Sequence, residues 1–279
     1  MDRIIDLNQY KLIISDIDGT ILKSHQPLEP FTKQVIFEIR ERGILFTLAS
    51  GRSLPGARFI AEELAIDLPM VLSNGCIVES LDGNILHREL MPVSVTKNVI
   101  EISEERGCDL VLFVDDRLVF KKMTENIEPV FGHIPEATIE VGSWESFFDQ
   151  LSTVNKCMVL DRSANSEVNL LALENVYAKE FTGEAEYYRT GIHHLEVMPM
   201  GVSKALGLCK ITESLGIRME ETMAFGDYDN DAAMLAAAGL GVAVSNATEN
   251  VKRNADIIIG SCQEDAPAHF LKDLLDKMK

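Results

Sequence analysis

The sequence has few basic residues for its number of acidic ones. Among its 279 residues, Lys and Arg total 26 and Asp and Glu total 44, so the formal net charge is −18. A surface of this charge repels DNA, RNA and anionic lipid, and we therefore expect no nucleic-acid or membrane partner. It would also repel a phosphorylated substrate, so any phosphate site needs local positive charge or a metal ion.

Long apolar runs are missing as well. No run approaches the roughly 20 residues that span a bilayer, and residues 1–3 do not begin a signal peptide. The sequence therefore predicts a soluble, cytoplasmic protein. Its five cysteines are scattered without a Cys-x-x-Cys pair or zinc-like spacing, which favours reduced thiols. A Walker loop, a nucleophile elbow and a G-x-G-x-x-G stretch are also absent.

The length of the chain predicts two domains, because single cores stop growing near this size. Short apolar runs alternate with helical patterns in the first and last thirds, which is typical of a parallel sheet covered on both faces. The middle third instead shows a β-hairpin pattern and mixed helices and strands. We predict an α/β fold with a doubly wound, Rossmann-like core from residues 1–82 and 196–279, and an inserted α/β cap domain at 83–195.

The predicted elements follow the hydrophobic pattern of the printed sequence. Core strands are predicted at residues 12–15, 44–49, 70–73, 222–225, 241–244 and 257–259. Core helices are predicted at residues 31–41, 55–65, 204–215, 231–238 and 266–279. In the inserted domain, strands are predicted at residues 111–113, 118–120, 156–160, 186–189 and 194–198, and helices at residues 93–105 and 166–175.

The strongest chemical signal is a pair of carboxylates, Asp16 and Asp18, in the stretch Asp-Ile-Asp-Gly-Thr directly after the first predicted strand. Ligands of doubly wound sheets bind beyond the carboxyl ends of the strands, so both acids project at the usual site position. One can act as a nucleophile and the other as an acid or base. Gly19 allows a sharp turn that brings N–H groups near an anion. The alternative interpretation is a turn with helix-capping acids.

Two further candidates supply hydrogen-bond donors. Ser50 follows the second strand in the stretch Ala-Ser-Gly-Arg, where a hydroxyl beside the N–H groups of a new helix can cradle a phosphate. The alternative is an ordinary serine cap. Lys204 opens a predicted helix, and it is of interest because the acidic site needs a cation. A lone lysine otherwise lies on the solvated surface.

A cluster of acids follows another strand, in the stretch Gly-Asp-Tyr-Asp-Asn-Asp that begins at Gly226. Hard oxygen ligands at a strand end suit Mg²⁺. An EF-hand is a rival interpretation of such acids, but no glycine occupies the sixth loop position and no helix precedes the loop.

These four motifs, in this order, resemble those of the haloacid dehalogenase-like phosphatases, in particular the Cof-type members with a type IIB cap. The resemblance runs from Leu12 to Ile259 and includes Ser-Asn-Gly at residues 73–75 and Glu-Val-x-Pro-x-Gly-Val-Ser-Lys at residues 196–204. Two positions depart from the family pattern. Ala205 stands where glycine is common, and Tyr228 stands where a small residue is frequent, although neither change removes a catalytic group.

The resemblance implies a role for each matching residue. Asp16 would be the nucleophile and a metal ligand. Asp18 would be the general acid and base, and its backbone carbonyl would also bind Mg²⁺. Asp227 would complete the metal ligands, Lys204 would hold phosphoryl oxygens, and Asn230 and Asp231 would hold waters or orient Lys204. The residues implied to lie near the phosphate or the rest of the substrate are Thr20, Ser50, Gly51, Arg52, Asn74 and Asn230.

The sequence thus predicts a Mg²⁺-dependent phosphatase that hydrolyses a small phosphorylated metabolite through an aspartyl-phosphate intermediate. Sugar phosphates, pyridoxal phosphate and flavin-related phosphates all fit, because contacts with the cap would choose among them. Two alternatives stay open: a sugar phosphomutase of the same superfamily, and a catalytically silent regulator that binds a phospholigand. Loss of Asp16 or Asp18 would have indicated the regulator. Nothing in the sequence indicates an oligomeric state.

Overall fold

The computed structural model of the chain describes residues 5–23 and 26–278. The chain divides into two compact units. The core unit comprises Met1–Gly51, Ala57–His87 and Ser203–Lys279, and the inserted unit comprises Arg52–Gly56 and Arg88–Val202. Residues 1–4 of the predicted core and residue 279 of the last predicted helix lie outside the described residues.

Strands and helices are numbered along the chain. The strands are β1 (Leu12–Ser15), β2 (Leu45–Leu48), β3 (Met70–Leu72), β4 (Ile77–Glu79), β5 (Ile85–Arg88), β6 (Asp109–Val114), β7 (Arg117–Phe120), β8 (Thr138–Glu140), β9 (Val154–Leu160), β10 (Ala185–Gly191), β11 (His194–Pro199), β12 (Thr222–Gly226), β13 (Leu240–Ala243) and β14 (Ile257–Ile258). The α-helices are α1 (Pro30–Glu41), α2 (Leu54–Glu63), α3 (Val93–Arg106), α4 (Glu128–Phe131), α5 (Ser166–Glu180), α6 (Lys204–Leu215), α7 (Ala232–Ala237), α8 (Glu249–Asn254) and α9 (Ala266–Leu275). Short 3₁₀ turns lie at Leu7–Gln9, Ser73–Gly75, Pro135–Ala137, Glu145–Thr153, Met219–Glu221, Asp229–Asp231 and Cys262–Glu264.

The core unit is built on a five-stranded parallel sheet in the order β14-β13-β12-β1-β2. β1 lies at its centre, with Ser15 opposite Phe225 of β12 and Leu48 of β2. All four residues of β1 are buried, as expected for a strand covered on both faces. Because the strands are parallel, the carboxyl ends of β1, β2 and β12 lie at one edge of the sheet. The loops that follow these strands carry most of the candidate residues.

β3 extends this arrangement through a single parallel bridge between Ala49 and Val71. It also starts a three-stranded sheet in the order β3-β4-β5. β3 and β4 are antiparallel, with Leu72 opposite Ile77 across the turn Ser73–Gly75. The sequence prediction contains neither β4 nor β5.

Helix α6 begins and ends at residues that favour those positions. The Ser203 hydroxyl caps its first turn by accepting the N–H of Leu206 at 3.2 Å, and Gly216, with φ at +64°, provides the left-handed ending. Leu208 and Ile211 belong to the buried apolar cluster of the core sheet. This packing fixes the position of Lys204, the first residue of the helix.

The inserted unit contains a six-stranded sheet in the order β10-β11-β9-β6-β7-β8. Alternate residues of its strands join separate apolar clusters: Leu112 and Cys157 pack with α3 and α5, whereas Phe113 and Met158 pack with Phe131 of α4. The sheet also contains a buried ion pair. Lys156 Nζ lies 2.9 Å from Glu196 Oε2, and 4.3 Å from the centroid of the Phe113 ring.

The division between the units differs from the boundaries proposed from sequence. β11 pairs with β9 and β10, with Val197 opposite Cys157, so residues 196–199 belong to the inserted sheet and not to the core. The core resumes at Ser203. At the other boundary, residues 83–87 belong to the core unit, because β5 neighbours β4 in the small sheet. Within the described part of the chain, no helix is both long and apolar enough to cross a bilayer.

Candidate active site

The loop after β1 places its two acids in different surroundings. The N–H of Asp16 donates to the carbonyl of Phe225 at 3.0 Å, so the parallel ladder continues one residue beyond the strand. The Asp16 side chain is buried, whereas Asp18 is exposed. Between Asp18 and Thr20 the chain turns at Gly19, whose φ is +81°. A buried acid and an exposed acid two positions apart are thereby held in one loop.

The loop after β12 is organised around Asp231. One carboxylate oxygen of Asp231, Oδ2, accepts the N–H groups of Asp227 at 3.0 Å and Tyr228 at 3.1 Å. A side chain on Gly226 would overlap with Asp231, so this close return of the loop requires glycine. The Asp227 carboxylate accepts the Thr20 hydroxyl at 3.1 Å, which joins the two loops. Thr20, predicted from sequence near the phosphate, thus has its hydroxyl on Asp227.

Lys204 lies between two carboxylates. Its ammonium group donates to Asp16 Oδ1 and to Asp231 Oδ1, each at 2.6 Å, and only 1% of the residue is exposed. Burial opposes the charged ammonium, but the charges of Asp16 and Asp231 outweigh it and raise the pKa of Lys204 above its ordinary value. Lys204 is therefore charged at neutral pH.

The acids of this site are hard to ionise together. Burial raises the pKa of Asp16 well above its ordinary range, and the charges of Asp231, Asp227 and Asp18 add to the effect against the opposing charge of Lys204. Burial and the charge of Asp231 likewise raise the pKa of Asp227 to about 7. One ammonium group does not offset three neighbouring carboxylates, so the site favours a further cation.

The carboxylates could hold such a cation. Oxygen atoms of Asp16, Asp227 and Asp231 all lie within 4.8 Å of one another among the residues described. Asp231 already accepts from Lys204 and from two backbone N–H groups, so its oxygens are occupied by donors. Asp16 and Asp227 would therefore be the better ligands, and carboxylate oxygens are what Mg²⁺ prefers. Within the described part of the chain, the carboxylate of Asp18 does not belong to this group.

The loops after β2 and β3 bring together further polar groups. The N–H of Ser50 donates to Val71 O at 2.8 Å, and the N–H of Asn74 donates to Ser50 O at 3.0 Å. Asn74 has a left-handed backbone, with φ at +60°, and its side-chain oxygen accepts the amide of Asn230 at 2.8 Å. A Cβ on Gly51 would lie only 3.1 Å from that oxygen. Ser50, Asn74 and Asn230 thus form one hydrogen-bonded group.

The side-chain oxygen of Asn230 is buried and has no hydrogen-bond partner among the residues described. A buried polar oxygen without a partner costs free energy, which indicates that a donor from a ligand or water belongs there. Arg52, in contrast, belongs to the inserted unit, where its guanidinium donates to Gly56 O at 2.7 Å. Its predicted place near the substrate stays a prediction.

Two residues that contact the acidic loops were not predicted from the sequence. Asn246 donates to the carbonyl of Gly19 at 2.9 Å, and the N–H of Thr248 donates to the carbonyl of Asp227 at 2.9 Å. Both bonds are accepted by backbone carbonyls, so the residue types of Gly19 and Asp227 do not reveal these bonds in the sequence. The relevant signal is the order of the parallel strands, in which β13, β12 and β1 are neighbours.

The sequence matches the haloacid dehalogenase-like hydrolase family over residues 13–271. The chain belongs to this family. A relative, the HMP-PP phosphatase of Escherichia fergusonii, is 30% identical over 273 residues, which cover 95% of this chain and 96% of that protein. The 5-amino-6-(5-phospho-D-ribitylamino)uracil phosphatase YcsE of Bacillus subtilis is 28% identical over 263 residues, or 94% of either chain.

Solved structures of the haloacid dehalogenase-like hydrolases share the fold. The crystal structure of one such hydrolase from Bacteroides thetaiotaomicron matches with a TM-score of 0.84 and 26% identity, covering 95% of this chain and 99% of that one. The predicted family, the α/β fold with an inserted cap domain and the enzyme class, a phosphoric monoester hydrolase, are thereby confirmed.

Proposed function

We propose that this haloacid dehalogenase-like hydrolase is a Mg²⁺-dependent phosphatase of small phosphorylated metabolites, with Asp16 as its nucleophile. One observation carries the proposal: the buried Asp16 carboxylate is held by Lys204 at 2.6 Å and shares a cluster with the carboxylate of Asp227. A buried carboxylate aligned by a fixed cation, beside a second acid, is what attack on a phosphate dianion requires.

The chemistry assigned to this chain proceeds in two displacements. First, an oxygen of Asp16 forms a bond to phosphorus while the bond from phosphorus to the alcohol oxygen breaks, and Asp18 gives that oxygen its proton. Water then attacks phosphorus, Asp18 takes a proton from the water, and the bond between Asp16 and phosphorus breaks. Inorganic phosphate leaves and both carboxyl groups return to their starting states. The exposed position of Asp18 suits a group that exchanges protons with a leaving group and with water.

Mg²⁺, when bound, would neutralise the phosphate and the acids that face it. Asp16, Asp227 and the backbone carbonyl of Asp18 would hold it. Asp231 would position Lys204 and the loop after β12, through the bonds described above. Lys204 and Ser50 would bind phosphoryl oxygens, with Asn74 and Asn230 beside them.

Two relatives support small phosphorylated metabolites as the substrate class. They are named for HMP-PP and for a phosphorylated ribitylaminouracil. We propose the same class here, within which sugar phosphates, pyridoxal phosphate and flavin-related phosphates are the compounds to screen first.

The proposal is tested by the stereochemical configuration at phosphorus before and after turnover. Two in-line displacements each invert its configuration, so an isotopically chiral thiophosphate ester turned over in labelled water should show net retention. Asp16→Asn should abolish turnover, because an amide is a poor nucleophile, whereas Asp273→Asn on the exposed face of α9 should leave it unchanged. Net inversion would mean that water attacks the substrate directly. Transfer of the phosphoryl group to a second sugar position would indicate a mutase.

A further inference from the structure

A three-residue segment between β13 and α8, residues 246–248, is bonded to both acidic loops of the site; it is called the brace segment here. Its first residue contacts the loop after β1. The side-chain amide of Asn246 donates to Gly19 O at 2.9 Å, across 227 positions of sequence. The amide is itself fixed, because Asn246 Oδ1 accepts the N–H of Cys262 at 2.8 Å and the Ser261 hydroxyl at 3.3 Å.

Thr248, the last residue of the brace segment, contacts the loop after β12. Its N–H donates to the carbonyl of Asp227 at 2.9 Å, and its hydroxyl donates to Asp229 Oδ1 at 2.6 Å. The same hydroxyl accepts the N–H of Val251 at 3.3 Å and so caps α8. The loop that carries Asp227 is thus held at a backbone atom and at a neighbouring side chain.

The brace segment is anchored in the core unit. Ala247, between its two bonding residues, is buried in the apolar cluster of the sheet, and its N–H donates to Val244 O at 3.0 Å. The preceding N–H, that of Ser245, donates to Gly260 O at 3.1 Å. Because the brace segment is packed and bonded in this way, it holds both acidic loops to one fixed part of the core unit.

The hydrogen bond from Asn246 to Gly19 O also affects Asp227, the proposed metal ligand that lies against Gly19. A side chain on Gly19 would overlap with the carboxylate of Asp227, so the backbone of Gly19 packs directly against that carboxylate. The next residue, Thr20, donates its hydroxyl to the same carboxylate at 3.1 Å. Holding the Gly19 carbonyl therefore fixes the surface against which Asp227 lies.

We propose that Asn246 and Thr248 are positioning residues that set the spacing of Asp16 and Asp227 for Mg²⁺ binding. The inference rests on the proposed function, in which these two acids hold the metal. Without a cation the two carboxylates repel each other, and the loops that carry them would separate if each were held only by its own strand. Bonds from one anchored segment hold the loops in the spacing that Mg²⁺ needs before it binds, and preorganised ligands bind more tightly.

The direct test is the dissociation constant of Mg²⁺, measured by calorimetric titration of the metal-free protein. Asn246→Ala removes the side-chain bond to Gly19 O, and Thr248→Val removes the hydroxyl bond to Asp229 but keeps the N–H bond to Asp227 O. Each variant should raise the dissociation constant about 2- to 10-fold, the range for one hydrogen bond. Thr248→Ser keeps the hydroxyl and should restore wild-type binding. Asn254→Ala is the matched control, because it removes an exposed amide whose bond to Asn250 O stays within α8.

The outcomes are distinct. Unchanged Mg²⁺ binding in both Asn246→Ala and Thr248→Val would overturn the inference, even if their melting temperatures fell, since a purely structural role lowers stability alone. Binding weakened equally by Asn254→Ala would also overturn it. If the wild-type protein bound no Mg²⁺, the failure would lie in the proposed function itself.

Discussion

Lys204 is the residue on which the charge balance of the site depends. Its ammonium group contacts both Asp16 and Asp231 at 2.6 Å and is almost completely buried. Fixed charges in a site that excludes water stabilise developing charge more than mobile ones do. The lysine is therefore aligned before a phosphate arrives.

We expect Lys204→Met to lower kcat about 10²- to 10³-fold, because it removes a fixed cation from the transferring phosphoryl group. Lys210→Met is the matched control. It changes the same residue type on the same helix, where the ammonium pairs with Glu213 at 3.2 Å near the surface, and it should leave kcat unchanged. Steady-state kinetics at saturating Mg²⁺ would compare the two variants. An unchanged rate in Lys204→Met would remove the lysine from the catalytic group.

Residue types and their order indicated several side chains that the structure brings together, because candidate catalytic side chains carry their chemistry in the sequence. The motifs alone indicate Asp16, Lys204 and Asp227 as candidates, and these residues lie together in the core unit. The place of Thr20 near the phosphate stays a prediction, and the structure adds that its hydroxyl donates to Asp227. Neither that bond nor the contact of Asn246 with Gly19 O could be predicted, since both depend on how loops far apart in sequence approach each other.

At the scale of elements, the sheet of the inserted unit contains an unusual charge pair. Lys156 on β9 and Glu196 on β11 lie on neighbouring strands, and the side chains are 0% and 3% exposed. Taking charges out of water is expensive unless they are paired, so each residue requires the other. The pair thereby stabilises one register between the neighbouring strands β9 and β11.

We expect Lys156→Met to lower the free energy of unfolding by about 3–5 kcal/mol, because it leaves the Glu196 carboxylate buried without its cation. The double variant Lys156→Met/Glu196→Leu should recover much of this loss. Lys121→Met, at an exposed pair with Glu104, should cost about 0–1 kcal/mol. Urea unfolding followed by fluorescence would measure all three. Equal losses at the buried and exposed pairs would contradict the expectation.

Elements with a strong hydrophobic period were predicted well from the sequence. The predicted bounds of α6 and β1 coincide with the observed ones, because caps and apolar runs mark them. β5 was missed: three of its four residues are exposed, so it lacks the alternation that identifies a strand. The boundary of the core was placed too early at residue 196, because the pattern of β11 does not reveal which sheet it joins.

At the scale of the molecule, stability depends on pH through the buried acids of the site. Burial, followed by the charge of Asp231, raises the pKa of Asp227 to about 7. A carboxyl group with a raised pKa binds protons more readily in the folded state. Its contribution to stability is therefore complete below the unfolded pKa of about 4 and is lost as the pH rises through about 7.

We therefore expect Mg²⁺ to stabilise the protein more as the pH rises, because protons and the metal compete for the same oxygens. At 100 times its dissociation constant the metal should add about 2.7 kcal/mol. Melting temperatures with Mg²⁺ and with chelator, compared between about pH 5 and about pH 8, would test this. The Asp227→Asn variant should lose most of the difference. If the rise in melting temperature caused by Mg²⁺ did not change with pH, the assignment of Asp227 as a ligand would be contradicted.

The order of the core strands also determines when activity can arise during synthesis. β1 leaves the ribosome early, but its neighbour β12 is encoded some two hundred residues later, with Leu12 opposite Thr222. All strands of the six-stranded sheet, which ends at Pro199, are made before Lys204. The nascent chain therefore carries Asp16 without its cation or its second acid for most of translation, and it becomes an enzyme only when the last third of the chain has emerged.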